Sequence, residues 1–95
     1  MQKEEVLQIL REHKDEFAER YHVHKVGIFG SLAKNTATSE SDVDIVVDME
    51  PDLMLQAELK QALESILKSK VDLIRYWKRM NRYLKAHIDK EALYV

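Results

Sequence analysis

A glycine–serine pair followed by two aspartates in a β-rich run constrains this chain more than any other feature. Ten residues separate Gly30 and Ser31 from Asp42, and Asp44 follows two positions later. Side chains alternate between the faces of a β-strand, so Asp42 and Asp44 share one face while their apolar neighbours face a core. Two carboxylates on one rigid face suit Mg²⁺, which takes one or two carboxylates together with substrate phosphates. Gly30 lets a phosphate approach the backbone closely, and the free N–H groups of a helix that begins at Ser31 attract that phosphate. The pattern therefore predicts a site for a metal-bound nucleoside triphosphate.

The spacing of apolar residues predicts the elements around this motif. Helical spacing predicts amphipathic helices over 3–20 and 53–68, and alternation predicts strands over 23–29, 42–47 and 70–74. A short helical turn is expected to join the first two strands, since it follows directly from the glycine–serine pair.

The C-terminal region is predicted to form a last helix and a short tail. The helix is expected from apolar residues at helical spacing, namely Trp77, Met80, Leu84 and Ile88. The tail over 91–95 either ends that helix or adds a short strand. Together the elements predict an α/β (α+β) fold in a single domain over residues 1–95, with a small mixed β-sheet flanked by helices on one side.

A third acid, Asp72, lies in an otherwise apolar run predicted to be a strand. If that strand lies beside the strand of Asp42 and Asp44, three carboxylates converge. Two Mg²⁺ ions held there would clamp a nucleotide, one at the attacking oxygen and one at the triphosphate and leaving pyrophosphate. Asp72 could also accept the proton of an attacking hydroxyl. The alternative for Asp72 is an ordinary strand-edge acid that faces water.

Composition limits the compartment and the class of partner. The chain has 95 residues, no cysteine and a net charge of −2. Without cysteine there is no disulfide scaffold, thiol catalysis or cysteine-based zinc site, and a reducing cytosol is compatible with the sequence. No signal peptide or membrane-spanning run is recognisable, so we predict a cytoplasmic domain. Stable nucleic-acid binding is not expected, because no extended basic surface with interleaved aromatic residues is recognisable. Oligomers remain possible.

Several side chains outside the motif carry their own predictions. Asp48 is expected at a solvated strand end, and Trp77 is expected in the core, although with Tyr76 it could stack an adenine. The cations Arg75, Lys78 and Arg79 are candidates for contact with the triphosphate or a partner. Three methionines are predicted to fill the core, namely Met49, Met54 and Met80.

The segments 30–35 and 41–47 together resemble the signature of the DNA polymerase β-like nucleotidyltransferase superfamily. The small size points to its minimal nucleotidyltransferase (MNT) branch, whose members resemble antitoxins encoded beside HEPN-domain ribonuclease toxins. The family usually has Ala-Arg-Gly where this chain has Ala-Lys-Asn. Lys34 keeps the positive charge but loses the bidentate fork of arginine, so its grip on phosphate is expected to be weaker. Asn35 tolerates the left-handed conformation, so the turn is expected to survive.

The resemblance implies an adenylyltransferase that moves AMP from ATP-Mg²⁺ to a tyrosine hydroxyl of a HEPN-type toxin. The catalytic residues and metal ligands would be Asp42, Asp44 and Asp72, and the nucleotide-binding residues Gly30, Ser31 and Lys34. Two alternatives stay open. The chain could neutralise a partner by contact without catalysis, or it could be a small-molecule nucleotidyltransferase of the aminoglycoside type.

Overall fold

The computed structural model describes residues 2–38 and 40–95, which form four helices and four strands. The helices are α1 (Lys3–Tyr21), α2 (Gly30–Ala33), α3 (Leu53–Leu67) and α4 (Arg82–Glu91). The strands are β1 (Val23–Ile28), β2 (Val43–Met49), β3 (Val71–Arg75) and β4 (Leu93–Tyr94). The predicted elements are therefore present, and the tail forms the short strand.

The strands make one mixed sheet in the order β3-β2-β1-β4. β1 is antiparallel to both of its neighbours, whereas β2 and β3 are parallel and joined by α3. β4 can lie against β1 because Gly27 has no side chain. A Cβ at that position would lie 2.5 Å from the carbonyl oxygen of Leu93. The mixed sheet that the sequence predicts is confirmed, with β3 at one edge.

One face of the sheet is covered by α1 and α3. Both helices place apolar residues at helical spacing toward the sheet, as the sequence predicts. The buried positions are Val6, Leu10, Phe17 and Tyr21 in α1, and Leu59, Leu63 and Leu67 in α3. They pack in one cluster with apolar strand residues such as Val26, Ile28, Ile45 and Val47.

The opposite face of the sheet is covered in part by α4. Ile88 of α4 packs with Phe29 and Val46 in a second, smaller cluster. The side chain of Val46 points to the other face of the sheet from those of its neighbours in β2. It therefore cannot join the first cluster and is buried by α4 instead. The expectation that all helices lie on one side is therefore wrong.

The last helix begins later than its apolar spacing suggests. The side chain of Asn81 accepts hydrogen bonds from the backbone N–H groups of Tyr83 and Leu84, which caps α4 so that it starts at Arg82. The segment before it is a turn. Trp77 lies in that turn and is 44% exposed, with the guanidinium of Arg75 5.5 Å from its ring centroid, so its prediction as a core residue is wrong.

Two further predictions about single side chains are also wrong in part. Met54 is 76% exposed in the first turn of α3, although Met49 is buried and Met80 packs against the second cluster. β2 continues to Met49, so Asp48 is a half-buried strand residue opposite Lys25 and not a solvated strand end. No helix in the two described ranges has the length and apolar character needed to cross a membrane.

Candidate active site

The parallel pair β2 and β3 places two of the predicted carboxylates side by side. The register sets Asp44 opposite Asp72, one position after the pair Val43 and Val71. Both valines are buried in the cluster under α1 and α3, so the two carboxylates point to the other face of the sheet. Asp44 is half-buried, and Asp72 is exposed on the edge strand. The strand adjacency that the sequence left as a condition is met.

Asp42 completes a group of three acids around Asp44. It lies one residue before β2, is exposed, and lines a small cavity with Ser41 and Ser69. Burial raises the pKa of Asp44, and the nearby charges of Asp72 and Asp42 raise it further. Three carboxylates therefore crowd one position without a compensating cation among these causes.

The acids suit a cation that brings ligands of its own. Within the described residues, no group of three or more metal-binding side chains is arranged to hold an ion unaided. A pair of register-matched carboxylates nevertheless matches the donor set of Mg²⁺, which completes its shell with water and substrate phosphates. The residues present therefore fit a magnesium–nucleotide complex better than a closed metal site.

Gly30 lies directly against the carboxylate of Asp44. Its φ of +70° is in the left-handed region, which favours glycine. A Cβ at this position would overlap Oδ2 of Asp44, and the backbone N–H of Phe29 donates to the carbonyl of Asp44 at 3.1 Å. Sequence reasoning assigned Gly30 only to phosphate approach, whereas the structure shows that it also makes room for a carboxylate.

The turn after Gly30 keeps the conformation that the sequence predicts. Helix α2 is a single turn that contains Ser31, whose carbonyl accepts the N–H of Thr36 at 2.8 Å. Asn35 has a φ of 62°, the left-handed conformation expected of the residue that replaces glycine. Its N–H donates to the carbonyl of Leu32 at 3.2 Å, so backbone bonds hold the turn without glycine there.

Lys34, predicted to face the triphosphate, is paired with α4. Its Nζ lies 3.0 Å from Oε1 of Glu91, and Nδ1 of His87 lies 3.6 Å from the same oxygen. The hydrogen bond from Lys34 is the main cause that lowers the pKa of Glu91. Sequence reasoning missed Glu91, because the four-residue spacing to His87 is a common surface pattern and Lys34 is remote in the chain.

The other candidate cations are not brought to the acids. Arg75 ends β3, and Lys78 and Arg79 follow it, whereas Asp72 is near the start of the same strand. Arg75 contacts the carbonyl of Met49, 3.5 Å away, at the far end of the sheet. Their predicted contact with the triphosphate therefore has no support in the geometry.

The two aromatic residues proposed to stack an adenine lie at that same far end. The Tyr76 hydroxyl donates to Oδ1 of Asp89 at 2.6 Å, and Trp77 lies under Arg75. Neither aromatic ring is placed beside the carboxylates of Asp44 and Asp72.

Comparison with known proteins identifies relatives that match nearly the whole chain. The nucleotidyltransferase domain family matches residues 10–95. A candidate protein adenylyltransferase of Methanocaldococcus jannaschii is 42% identical over 93 residues, which cover 96% of this chain and 95% of that protein. The protein adenylyltransferase MntA of Thermococcus cleftensis is 42% identical over 92 residues, which cover 95% and 88%.

Solved structures share the same fold. The structure of a candidate minimal nucleotidyltransferase matches with a TM-score of 0.79 at 32% identity, covering 98% of this chain and 95% of that chain. A toxin–antitoxin complex with AMP-PNP matches at 0.69 and 24% identity, covering 99% and 72%. A complex of tri-AMPylated Shewanella oneidensis HEPN toxin with MNT antitoxin matches at 0.59 and 22% identity, covering 97% and 66%. The last two likenesses establish the fold alone.

Proposed function

This chain belongs to the nucleotidyltransferase domain family, and we propose that it transfers AMP from ATP to a tyrosine hydroxyl of a HEPN-type toxin, acting as its antitoxin. The observation that carries the proposal is the register pair of Asp44 and Asp72 beside Gly30. Its support among relatives is an MntA protein adenylyltransferase at 42% identity. The proposal adopts its nucleotide and acceptor class from two complexes of the same fold, one that holds AMP-PNP and one in which a HEPN toxin is AMPylated beside its MNT antitoxin.

The proposed metal ligands are Asp42, Asp44 and Asp72. Mg²⁺ bound there, in one or two ions, would neutralise the charge of the triphosphate and of the leaving pyrophosphate. Burial raises the pKa of Asp44 and the charges of Asp72 and Asp42 raise it further, and a bound cation would offset these like charges. The exposure of Asp42 and Asp72 leaves room for phosphate oxygens as further ligands.

The residues around the acids have separate proposed tasks. Gly30 and Ser31 hold the phosphates through the backbone and the serine hydroxyl, and Lys34 adds a positive charge. The acceptor hydroxyl oxygen attacks the α-phosphorus, an O–P bond forms, and the bond to pyrophosphate breaks with its electrons on the leaving group. Asp72 accepts the hydroxyl proton, because it lies on the exposed edge strand where an acceptor can arrive.

A protein acceptor suits the openness of this site. Asp72 is exposed on β3, which has no neighbouring strand on its outer side in the described residues. A tyrosine on a partner protein can therefore reach the acids without passing through a closed pocket. We place the reaction in the cytoplasm, in keeping with a chain that has no cysteine.

One observation favours the alternative of a contact-only antitoxin. Lys34 is paired with Glu91 and would have to leave that partner to meet a nucleotide. A contact-only antitoxin would still neutralise its partner after its own carboxylates Asp42, Asp44 and Asp72 were replaced.

A labelling experiment separates the two functions. The purified chain is incubated with ATP labelled on the α-phosphate, Mg²⁺ and the HEPN-type protein encoded beside it. We expect label on the partner, and none with a double variant carrying Asp42→Asn and Asp44→Asn. A stable complex that never acquires label would reject the enzymatic function and leave neutralisation by contact.

A further inference from the structure

An ion pair joins the glycine–serine turn to the end of α4. It links Nζ of Lys34 to Oε1 of Glu91 at 3.0 Å. The Glu91 side chain is only 17% exposed, whereas that of Lys34 is 49% exposed. The carboxylate is therefore fixed and the ammonium is the partner that can leave.

The base of Lys34 is held close to the acid group. Its backbone N–H donates to the carbonyl of Gly30 at 3.1 Å, and Gly30 lies against the carboxylate of Asp44. A lysine side chain is a flexible stem with a compact charge, so it can exchange one anionic partner for another without moving its backbone. Glu91 and a triphosphate bound at Gly30 are thus alternative partners of the same ammonium group.

We propose that Glu91 is the counter-ion of Lys34 in the nucleotide-free chain and that the triphosphate displaces it on binding. The inference rests on the proposed function, because it requires ATP at the glycine–serine turn. Glu91 then weakens nucleotide binding without touching the nucleotide, since part of the attraction of Lys34 for phosphate is used to separate the existing pair. Glu91 acts through Lys34 as a residue that sets ATP affinity.

The chain offers a matched control on the same helix. Lys85 and Asp89 form a second ion pair of α4 at 3.3 Å, and Asp89 also accepts the hydroxyl of Tyr76. This pair has no contact with Lys34 in the described residues. Asp89→Asn therefore removes a charge two positions from Glu91 while leaving the proposed competition intact.

The test measures equilibrium binding of ATP with Mg²⁺ by calorimetry, in the absence of any acceptor. We expect Glu91→Gln to bind ATP about two- to fivefold more tightly, which is the change in affinity that the free energy of a surface ion pair corresponds to. Asp89→Asn is expected to bind ATP like the unaltered chain. Lys34→Met is expected to bind more weakly. In the Lys34→Met background, Glu91→Gln is expected to have no further effect, because the competing ammonium is gone.

Every other result counts against the inference. The inference is overturned if Glu91→Gln binds ATP no more tightly than the unaltered chain. It is also overturned if Glu91→Gln gains the same affinity with Lys34 and with Lys34→Met, because that would indicate long-range repulsion of the nucleotide by Glu91. If Glu91→Gln does not fold, unchanged affinity in Lys34→Met overturns it instead. An unaltered chain that binds no ATP overturns the proposed function as well, whereas unchanged affinity in Glu91→Gln beside normal transfer overturns this inference alone.

Discussion

Two ends of the same sheet face carry aspartates of β2 in opposite electrostatic settings. At one end, burial raises the pKa of Asp44, and the neighbouring charges of Asp72 and Asp42 raise it further. At the other end, Asp48 lies opposite Lys25 and lines a cavity of about 190 Å³ with Tyr76. An apolar layer of Phe29, Val46 and Ile88 lies on the face between them. No cation is among the groups that shift the pKa of Asp44 at the first end, whereas Asp48 at the second end lies opposite Lys25.

Three polar side chains near the second end bond to one another, namely Tyr76, Lys85 and Asp89. Asp89 accepts the Tyr76 hydroxyl and pairs with Lys85, and these contacts lower the pKa of Asp89. Nζ of Lys25 lies 4.8 Å from the ring centroid of Tyr94. Paired groups of this kind contribute to structure, whereas like charges gathered on a half-buried carboxylate such as Asp44 indicate a binding site.

Removal of divalent cations should give the largest effect. A chelator is expected to abolish AMP transfer to the partner, because the three carboxylates then repel the triphosphate, and added Mg²⁺ should restore it. The check is label incorporation with and without EDTA, followed by excess Mg²⁺. Full transfer in the chelated sample would reject a metal role for the acids.

Gly30→Ala should damage the acid end directly. The new methyl group would overlap the carboxylate of Asp44, and the alanine backbone would have to adopt a left-handed φ. We therefore expect a stability loss of ~1–3 kcal/mol. Transfer should fall by more than about tenfold, because Asp44 must move.

Gly27→Ala is the matched control for that variant. Its methyl group would meet the carbonyl of Leu93, which strains the contact between β1 and β4 and leaves the acids in place. We expect a similar loss in urea unfolding, with transfer by the folded fraction nearly unchanged. Equal loss of transfer in both variants would remove the special role of Gly30.

Asp44→Asn should stabilise the chain when no divalent cation is present. A carboxyl whose pKa is raised on folding favours its protonated form, so its charged form costs stability as pH rises above the ordinary value of 3.8. At neutral pH we expect a gain of ~0.5 kcal/mol after solvent screening, or about 2–4 °C in Tm.

Two conditions define the sign of that effect. The gain should disappear as pH falls below the ordinary pKa of an aspartate, because both chains are then uncharged at this position. Added Mg²⁺ should raise the Tm of the unaltered chain more than that of Asp44→Asn. A variant that is less stable at neutral pH would show that the acid end is not electrostatically strained.

Tyr76→Phe should have the smallest effect on AMP transfer. It removes one hydroxyl bond to the exposed Asp89, so we expect a loss of ~0.5 kcal/mol, or about 2–4 °C in Tm, while AMP transfer stays the same. Thermal unfolding and the labelling assay check both parts. A large loss of transfer would extend the active site along the whole face.

Local patterns in the sequence predict the acid end well. Alternation along a strand is a local property, so the shared face of Asp42 and Asp44 follows from spacing alone. The left-handed turn at Asn35 follows from residue chemistry in the same way. Asp72 required one assumption, the adjacency of two strands, which helix-linked parallel strands commonly satisfy.

The features that the sequence could not predict depend on contacts between remote residues. Trp77 has the spacing of a helix stripe, but the cap at Asn81 starts α4 later and leaves the indole in a turn. The pair of Lys34 with Glu91 depends on how α4 crosses the sheet, and neither residue type nor spacing encodes it. Asp48 looked like a strand end because the following proline marked a break that comes only after Met49.

A side-by-side comparison of Asp44→Asn and Asp48→Asn tests the central claim most directly. Both variants remove one carboxylate from the same face of β2, four positions apart. We predict that label transfer from ATP to the partner falls at least about 100-fold in Asp44→Asn and stays near the unaltered level in Asp48→Asn. Equal transfer by the two variants would contradict the assignment of the acid end as the active site.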